Sequence, residues 1–154
     1  MIRLIGRMKM IYRVERPSDF FTWIEVSCRC ECKAVRVDDF FWQSMEMFDN
    51  LRERIGPTQM NCGYRCPVHN KDVGGKDGSL HKRFAGDVWS REIGLDELAD
   101  EGEQVGFTGI ITYDSFVHLD ARHLLGMRPY SDSYQTAWEM KAENRVVQTD
   151  SYED

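Results

Sequence analysis

One segment constrains this chain more than any other. Between Asp39 and Ile55, the residues Phe41, Met45, Phe48 and Ile55 recur at helical spacing, with Leu51 beside them. That period gathers apolar side chains onto one face only in an α-helix. Asp38 or Asp39 can cap its start, and Gly56 followed by Pro57 ends it. The helix reads as core scaffold. The chain after it is cut into shorter pieces. Strands are expected over 58–62, 85–89, 108–113 and 116–120, the last two joined by a tight turn at Asp114 and Ser115. Short helices are expected over 67–73, with Pro67 in the first turn, and over the acidic stretch 96–103. Gly74 and Gly75 open a loop between them. Residues 1–16 read as a strand or arm, punctuated by Pro17, Ser18 and Asp19. The aromatic stretch 20–25 is expected to pack on the domain. The last thirty residues, with Met127, Pro129 and Tyr130, carry no clear signal.

At 154 residues the chain is expected to form a single domain over 1–154, with a core at about 18–125 and an arm and tail of unassigned role. A net charge of −6 argues against nucleic acid as a partner. No apolar run approaches the ~20 residues of a membrane span. The N-terminal stretch has charges throughout and lacks the continuous apolar core of a signal peptide. The expectation is therefore synthesis in the cytoplasm, with any action outside the cell depending on release by other means. The oligomeric state is not legible.

Five cysteines, Cys28, Cys30, Cys32, Cys62 and Cys66, form an odd set, which favours reduced thiols. They could hold a structural zinc, although C-x-C-x-C is not among the strong paired zinc spacings. Buried free thiols are the simpler expectation.

The chemistry concentrates in His81, Asp87 and His118. Two imidazoles and one carboxylate form the ligand set of a catalytic zinc site with a fourth position open to water. On the 116–120 strand, Phe116, His118 and Asp120 share a face. Asp120 is thus placed either to orient a ligand or to handle a proton, with Asp114 as the alternative proton acceptor. Taken singly, each residue has an ordinary reading: His81 a surface histidine, His118 a satisfied core histidine, Asp87 a turn residue.

The segment GYRCPVHNKDVGGKDGSLH, followed by AGDV and then FVHLD, resembles the M15 family of zinc peptidases, the D-Ala-D-Ala carboxypeptidase-like enzymes that cleave peptidoglycan. The resemblance runs from about residue 20 to 122. It implies an α+β domain, a small antiparallel sheet flanked by helices, as in Hedgehog and DD-peptidase domains. It implies Zn2+ held by His81, Asp87 and His118, and Arg65 polarising the scissile carbonyl or holding a substrate carboxylate. Ser79 would line the substrate side. The implied substrate is a peptidoglycan stem peptide or crosslink, and the small, leaderless form suggests a phage or prophage lysis protein.

Two features depart from the family pattern. Members usually place six residues between the histidine and the aspartate of S-x-H-x-x-G-x-A-x-D, whereas five separate His81 from Asp87, and Phe84 stands near the position of the usual glycine. The carboxylate or histidine often found shortly before the last histidine is also missing, since those positions hold Ser115 and Phe116. These departures leave open a binding module that keeps the fold without turnover. A protein with only a cysteine-held structural zinc is a third reading.

Overall fold

The computed structural model describes residues 15–132. The expectations for the first fourteen residues and for the tail beyond residue 132 lie outside the described residues. Within them run α1 (Trp23–Val26), α2 (Asp39–Ile55), β1 (Gln59–Cys62), α3 (Pro67–Asp72), β2 (Gly86–Trp89), α4 (Leu95–Gln104), β3 (Gly109–Thr112), β4 (Val117–Asp120) and β5 (Tyr130–Ser131). Two 3-10 turns, Leu80–Lys82 and Arg122–Leu125, complete the set. The strands form one sheet in the order β1-β2-β4-β3-β5. Every pairing is antiparallel except that of β3 with β5. This is the expected α+β architecture.

Helix α2 begins and ends where its sequence dictates. The Asp38 carboxylate accepts from the Phe41 amide, and Gly56 turns the chain out at φ 84°. Its buried residues are Phe40, Phe41, Ser44, Met45, Phe48 and Leu51, while Ile55 is partly covered at the core's edge. The rings of Phe41, Phe48, Phe84 and Phe107 meet in series, with centroids 4.9 Å apart for Phe41–Phe84, 6.1 Å for Phe48–Phe84 and 4.6 Å for Phe48–Phe107. Burying such a side chain contributes about 1.5–3 kcal/mol.

The sheet turns Met60, Val88, Val117 and Leu119 toward this core. Gly86 lets the Phe48 ring lie directly on β2, since a Cβ there would stand 2.5 Å from Phe48 Cζ. The short α1 was not expected from periodicity. It opens with a capping box, Thr22 and Glu25 each satisfying a backbone N–H of the other. Phe21, just before it, is fully buried. Among the described residues no helix is long and apolar enough to cross a membrane.

Candidate metal centre

The opposite face of the sheet carries the polar residues. In the β2–β4 ladder Asp87 is the direct partner of His118, and in β1–β2 Cys62 is the partner of Asp87. Cys62, Asp87 and His118 thus form one row across three strands. The placement of Cys62 depends on an irregularity. Met60 pairs with Val88 and Cys62 with Asp87, so Asn61 is an extra residue in β1. A bulge of this kind reverses the face on which the following side chain emerges. Met60 enters the core while Cys62 joins the polar row.

His81 enters from the 3-10 turn. Ser79 starts that turn, its hydroxyl accepting the His81 amide at 3.3 Å. The five-residue connection to Asp87 is long enough. Phe84 and Ala85 drop fully into the core, Phe84 between Phe41 and Phe48. The chain then enters β2 directly. His81 Nε2 reaches Asp87 Oδ1 at 3.1 Å, and His118 Nδ1 reaches the same oxygen at 3.2 Å. The two rings meet edge to face with centroids 5.0 Å apart. The structure therefore brings together the three residues that the sequence singles out.

The far nitrogen of each ring is committed. His81 Nδ1 lies 2.6 Å from the Gly63 carbonyl oxygen, and His118 Nε2 lies 2.7 Å from Asp120 Oδ2. Carbonyls and carboxylates accept, so the ring protons belong on those nitrogens. The near nitrogens then present lone pairs to the Asp87 carboxylate. Three electron-pair donors converging on one point call for positive charge between them. Protonated rings can supply it: burial alone would raise the Asp87 carboxyl, but the charge on His81 and the hydrogen bonds from His118 and His81 outweigh it and hold the group below the usual carboxylate range. A divalent cation supplies it with both rings neutral. Two imidazole nitrogens and a carboxylate oxygen are a zinc donor set. At bond lengths of about 2.1 Å, tetrahedral ligands stand about 3.4 Å apart, close to the two separations from Asp87 Oδ1, 3.1 Å to His81 Nε2 and 3.2 Å to His118 Nδ1. The residues fit the ion.

Asp120 is held from both sides. Arg122 donates to it through Nε at 2.9 Å, through Nη2 at 2.6 Å and through its backbone amide at 3.0 Å. Both side chains are fully buried. Burial would raise the Asp120 carboxyl, but the hydrogen bonds from His118 and Arg122 and their charges drive it far below its ordinary value. Gly109, opposite Asp120 on β3, leaves space for this pair, which a Cβ would invade. The Arg122 guanidinium lies 6.0 Å from the centre of the Tyr130 ring on β5.

Sequence reasoning missed Arg122, and no local pattern marks it as buried. It also gave Cys62 no place near the site, although Cys62 Sγ stands 3.7 Å from His81 Nδ1. Cys62, His81 and Asp87 can each bring a ligand atom within 4.8 Å of the others. Arg65 sits one strand-to-helix junction away, its amide donating to the His81 carbonyl at 2.9 Å. Asp114 is exposed at the β3–β4 turn. His81, His118 and Asp120 are buried, while 13 % of the Asp87 side chain remains exposed.

Comparison with curated proteins finds no match. A family model described as Peptidase M15 matches residues 19–120, a span that begins before α1 and closes on Asp120. With about two-thirds of its length so matched, including every residue of the polar row, the chain belongs to the peptidase M15 family.

Proposed function

We propose that this chain is a zinc-dependent peptidase acting on the stem peptides or crosslinks of bacterial peptidoglycan, of the kind a phage or prophage releases to the cell wall. The observation that carries the reading is the convergence of His81 Nε2 and His118 Nδ1 on one Asp87 oxygen, with the far side of each ring already anchored. Zinc held there supplies Lewis acidity, polarising a carbonyl and making water a better nucleophile at neutral pH. The chain's own residues do the rest. Gly63 and Asp120 fix the tautomers and orientations of the two rings. Arg65, with a planar fork of donors, takes the carbonyl oxygen or a terminal carboxylate of the peptide. Ser79 holds the His81 turn and lies on the substrate side. The choice of peptidoglycan rests on the resemblance carried by the GYRCPVHNKDVGG segment.

Of the two roles open to Asp120, its engagement by His118 and Arg122 favours the orienting one. Asp114 is then the candidate proton acceptor. The same engagement favours one rival, a wall-binding module without turnover. Zinc-loaded protein incubated with purified sacculi separates them. New amino termini and released peptides, found by mass spectrometry and lost in His81→Ala, are expected of the peptidase. Sedimentation with the wall at one zinc in this site, without cleavage at any of several pH values, is the outcome that would replace it with the binding module.

A further inference from the structure

A second cluster joins the cysteine-rich loop to Cys66, in the segment that also carries the Gly63 carbonyl. We infer that Cys28, Cys30, Cys32 and Cys66 form a closed four-thiolate site for a zinc ion that fastens the cysteine-rich loop to the start of α3. The four sulfurs all lie within 4.8 Å of one another. Individual separations are 3.4 Å for Cys28–Cys30, 3.0 Å for Cys30–Cys32 and 3.7 Å for Cys30–Cys66. Four sulfurs at the zinc–thiolate bond length of about 2.3 Å stand about 3.8 Å apart in a regular tetrahedron. Closing from one set to the other takes shifts of under about an ångström in side chains that are free thiols.

The backbone gives a second, independent sign. Each of the four sulfurs accepts a main-chain N–H: Cys28 from Cys66 at 3.3 Å, Cys30 from Cys32 at 3.4 Å, Cys32 from Ala34 at 3.5 Å and Cys66 from His69 at 3.3 Å. A neutral thiol is a weak acceptor. Four amides aimed one to each sulfur suit thiolates, whose charge they help to hold. Cys62, the fifth cysteine, instead points its sulfur at the Gly63 carbonyl. The loop is shaped to this end. Lys33 adopts φ 48°, its amide returns to the Cys30 carbonyl, and the Cys28 amide closes on Ala34 at 2.7 Å. That fold turns three alternate cysteines toward one point. Arg29, Lys33 and Arg36 against Glu31 leave the same loop net cationic, although Arg36 is paired with Asp38 at 3.2 Å.

Four protein ligands leave no open position, which marks a structural site rather than a reacting one. Its position gives it a task. Cys66 caps α3 and follows Arg65, and the same segment supplies the Gly63 carbonyl that orients His81. The ion would anchor that segment across a long chain closure, from Cys30 to Cys66.

The test uses the full chain with His81→Ala and His118→Ala together, so that its outcome does not depend on the proposed catalytic metal. This variant, folded by circular dichroism and prepared with zinc, is expected to keep one zinc per chain by elemental analysis. With Co2+ in place of zinc it is expected to show the sulfur-to-metal charge-transfer absorption of a thiolate site. Adding Cys30→Ser and Cys66→Ser is expected to remove both signals. Should that last protein not fold, the cobalt spectrum of the histidine variant alone decides. Absence of bound zinc and of charge-transfer absorption in the folded histidine variant, or their persistence in a folded cysteine variant, overturns the inference.

Discussion

Asp87 and His118 stand directly opposite one another across the β2–β4 ladder, and His118 Nδ1 lies 3.2 Å from Asp87 Oδ1. The contact is a property of strand register. A slip of one residue would turn one of the two side chains into the phenylalanine core. Val88 and Val117 on one face, and Asp87 and His118 on the other, therefore specify the same pairing. The polar row and the core enforce each other's geometry.

Replacing Asp87 by Asn tests the centre directly. Asparagine has nearly the same shape and keeps the β2 register, but it removes the charge that a dication needs from its single anionic ligand. The Asp87→Asn protein is expected to remain folded, with a circular dichroism spectrum like that of the parent, to lose the zinc bound at this centre and to show no peptide hydrolysis. Undiminished zinc affinity at this centre, by competition with a chelator, over and above any zinc held by the cysteines, would remove Asp87 from the ligand set.

Arg65 makes a different prediction. Its backbone amide ties it to His81, and its proposed role is to meet the substrate rather than the metal. Arg65→Ala should leave zinc content unchanged and reduce turnover at least about a hundredfold, as for loss of an oxyanion donor. Loss of zinc together with activity would assign Arg65 to the scaffold instead.

Much of this arrangement is legible in the sequence, and the exceptions have physical causes. Helix α2 declares itself because seventeen residues give the 3.6-residue period room to repeat. The two histidines and Asp87 stand out as titratable groups beside apolar stretches, and strand parity alone puts Asp120 beside His118. Helix α1 spans four residues, too few for a period, though Thr22 and Glu25 carry its capping signature. Strand β5 has two residues and pairs in parallel with a strand about twenty positions earlier, which no local pattern encodes. The bulge at Asn61 and the burial of Arg122 are decided by partners on neighbouring strands. An arginine in the sequence reads as surface until Asp120 and Gly109 are known to enclose it.

The carboxylates predict how stability responds to acid. Asp87 and Asp120 both titrate below their ordinary range in the folded protein. A carboxyl with a depressed folded pKa stabilises the fold above its unfolded value of about 3.9, and that contribution is lost as pH falls through the folded value. The metal-free protein should therefore lose stability steadily below about pH 4, measured by urea unfolding. In Asp120→Asn the slope below about pH 4 should be shallower by up to about 1.4 kcal/mol per pH unit. At neutral pH the variant should be less stable by about 3–5 kcal/mol, because Arg122 keeps a buried charge with no anion. An identical acid slope in both proteins would show that Asp120 is not the group responsible.

Gly109→Ala probes the same pair from the neighbouring strand. The new methyl would overlap both Asp120 oxygens and Arg122 Nε. Neither partner can swing aside, since both are fully buried and each neutralises the other. On its other flank Gly109 pairs with Tyr130 of β5, whose ring faces the Arg122 guanidinium. Relief would have to come from moving β3, or from parting the ion pair at a cost of about 3–5 kcal/mol. The variant should unfold at lower urea concentration. In whatever fraction folds, zinc should bind about 10–100-fold more weakly, because His118 loses the acceptor that aims its Nδ1. A Gly109→Ala protein with parental stability and zinc affinity would mean that the β3–β4 spacing adjusts freely, and that the Asp120–Arg122 pair does not hold His118 in place.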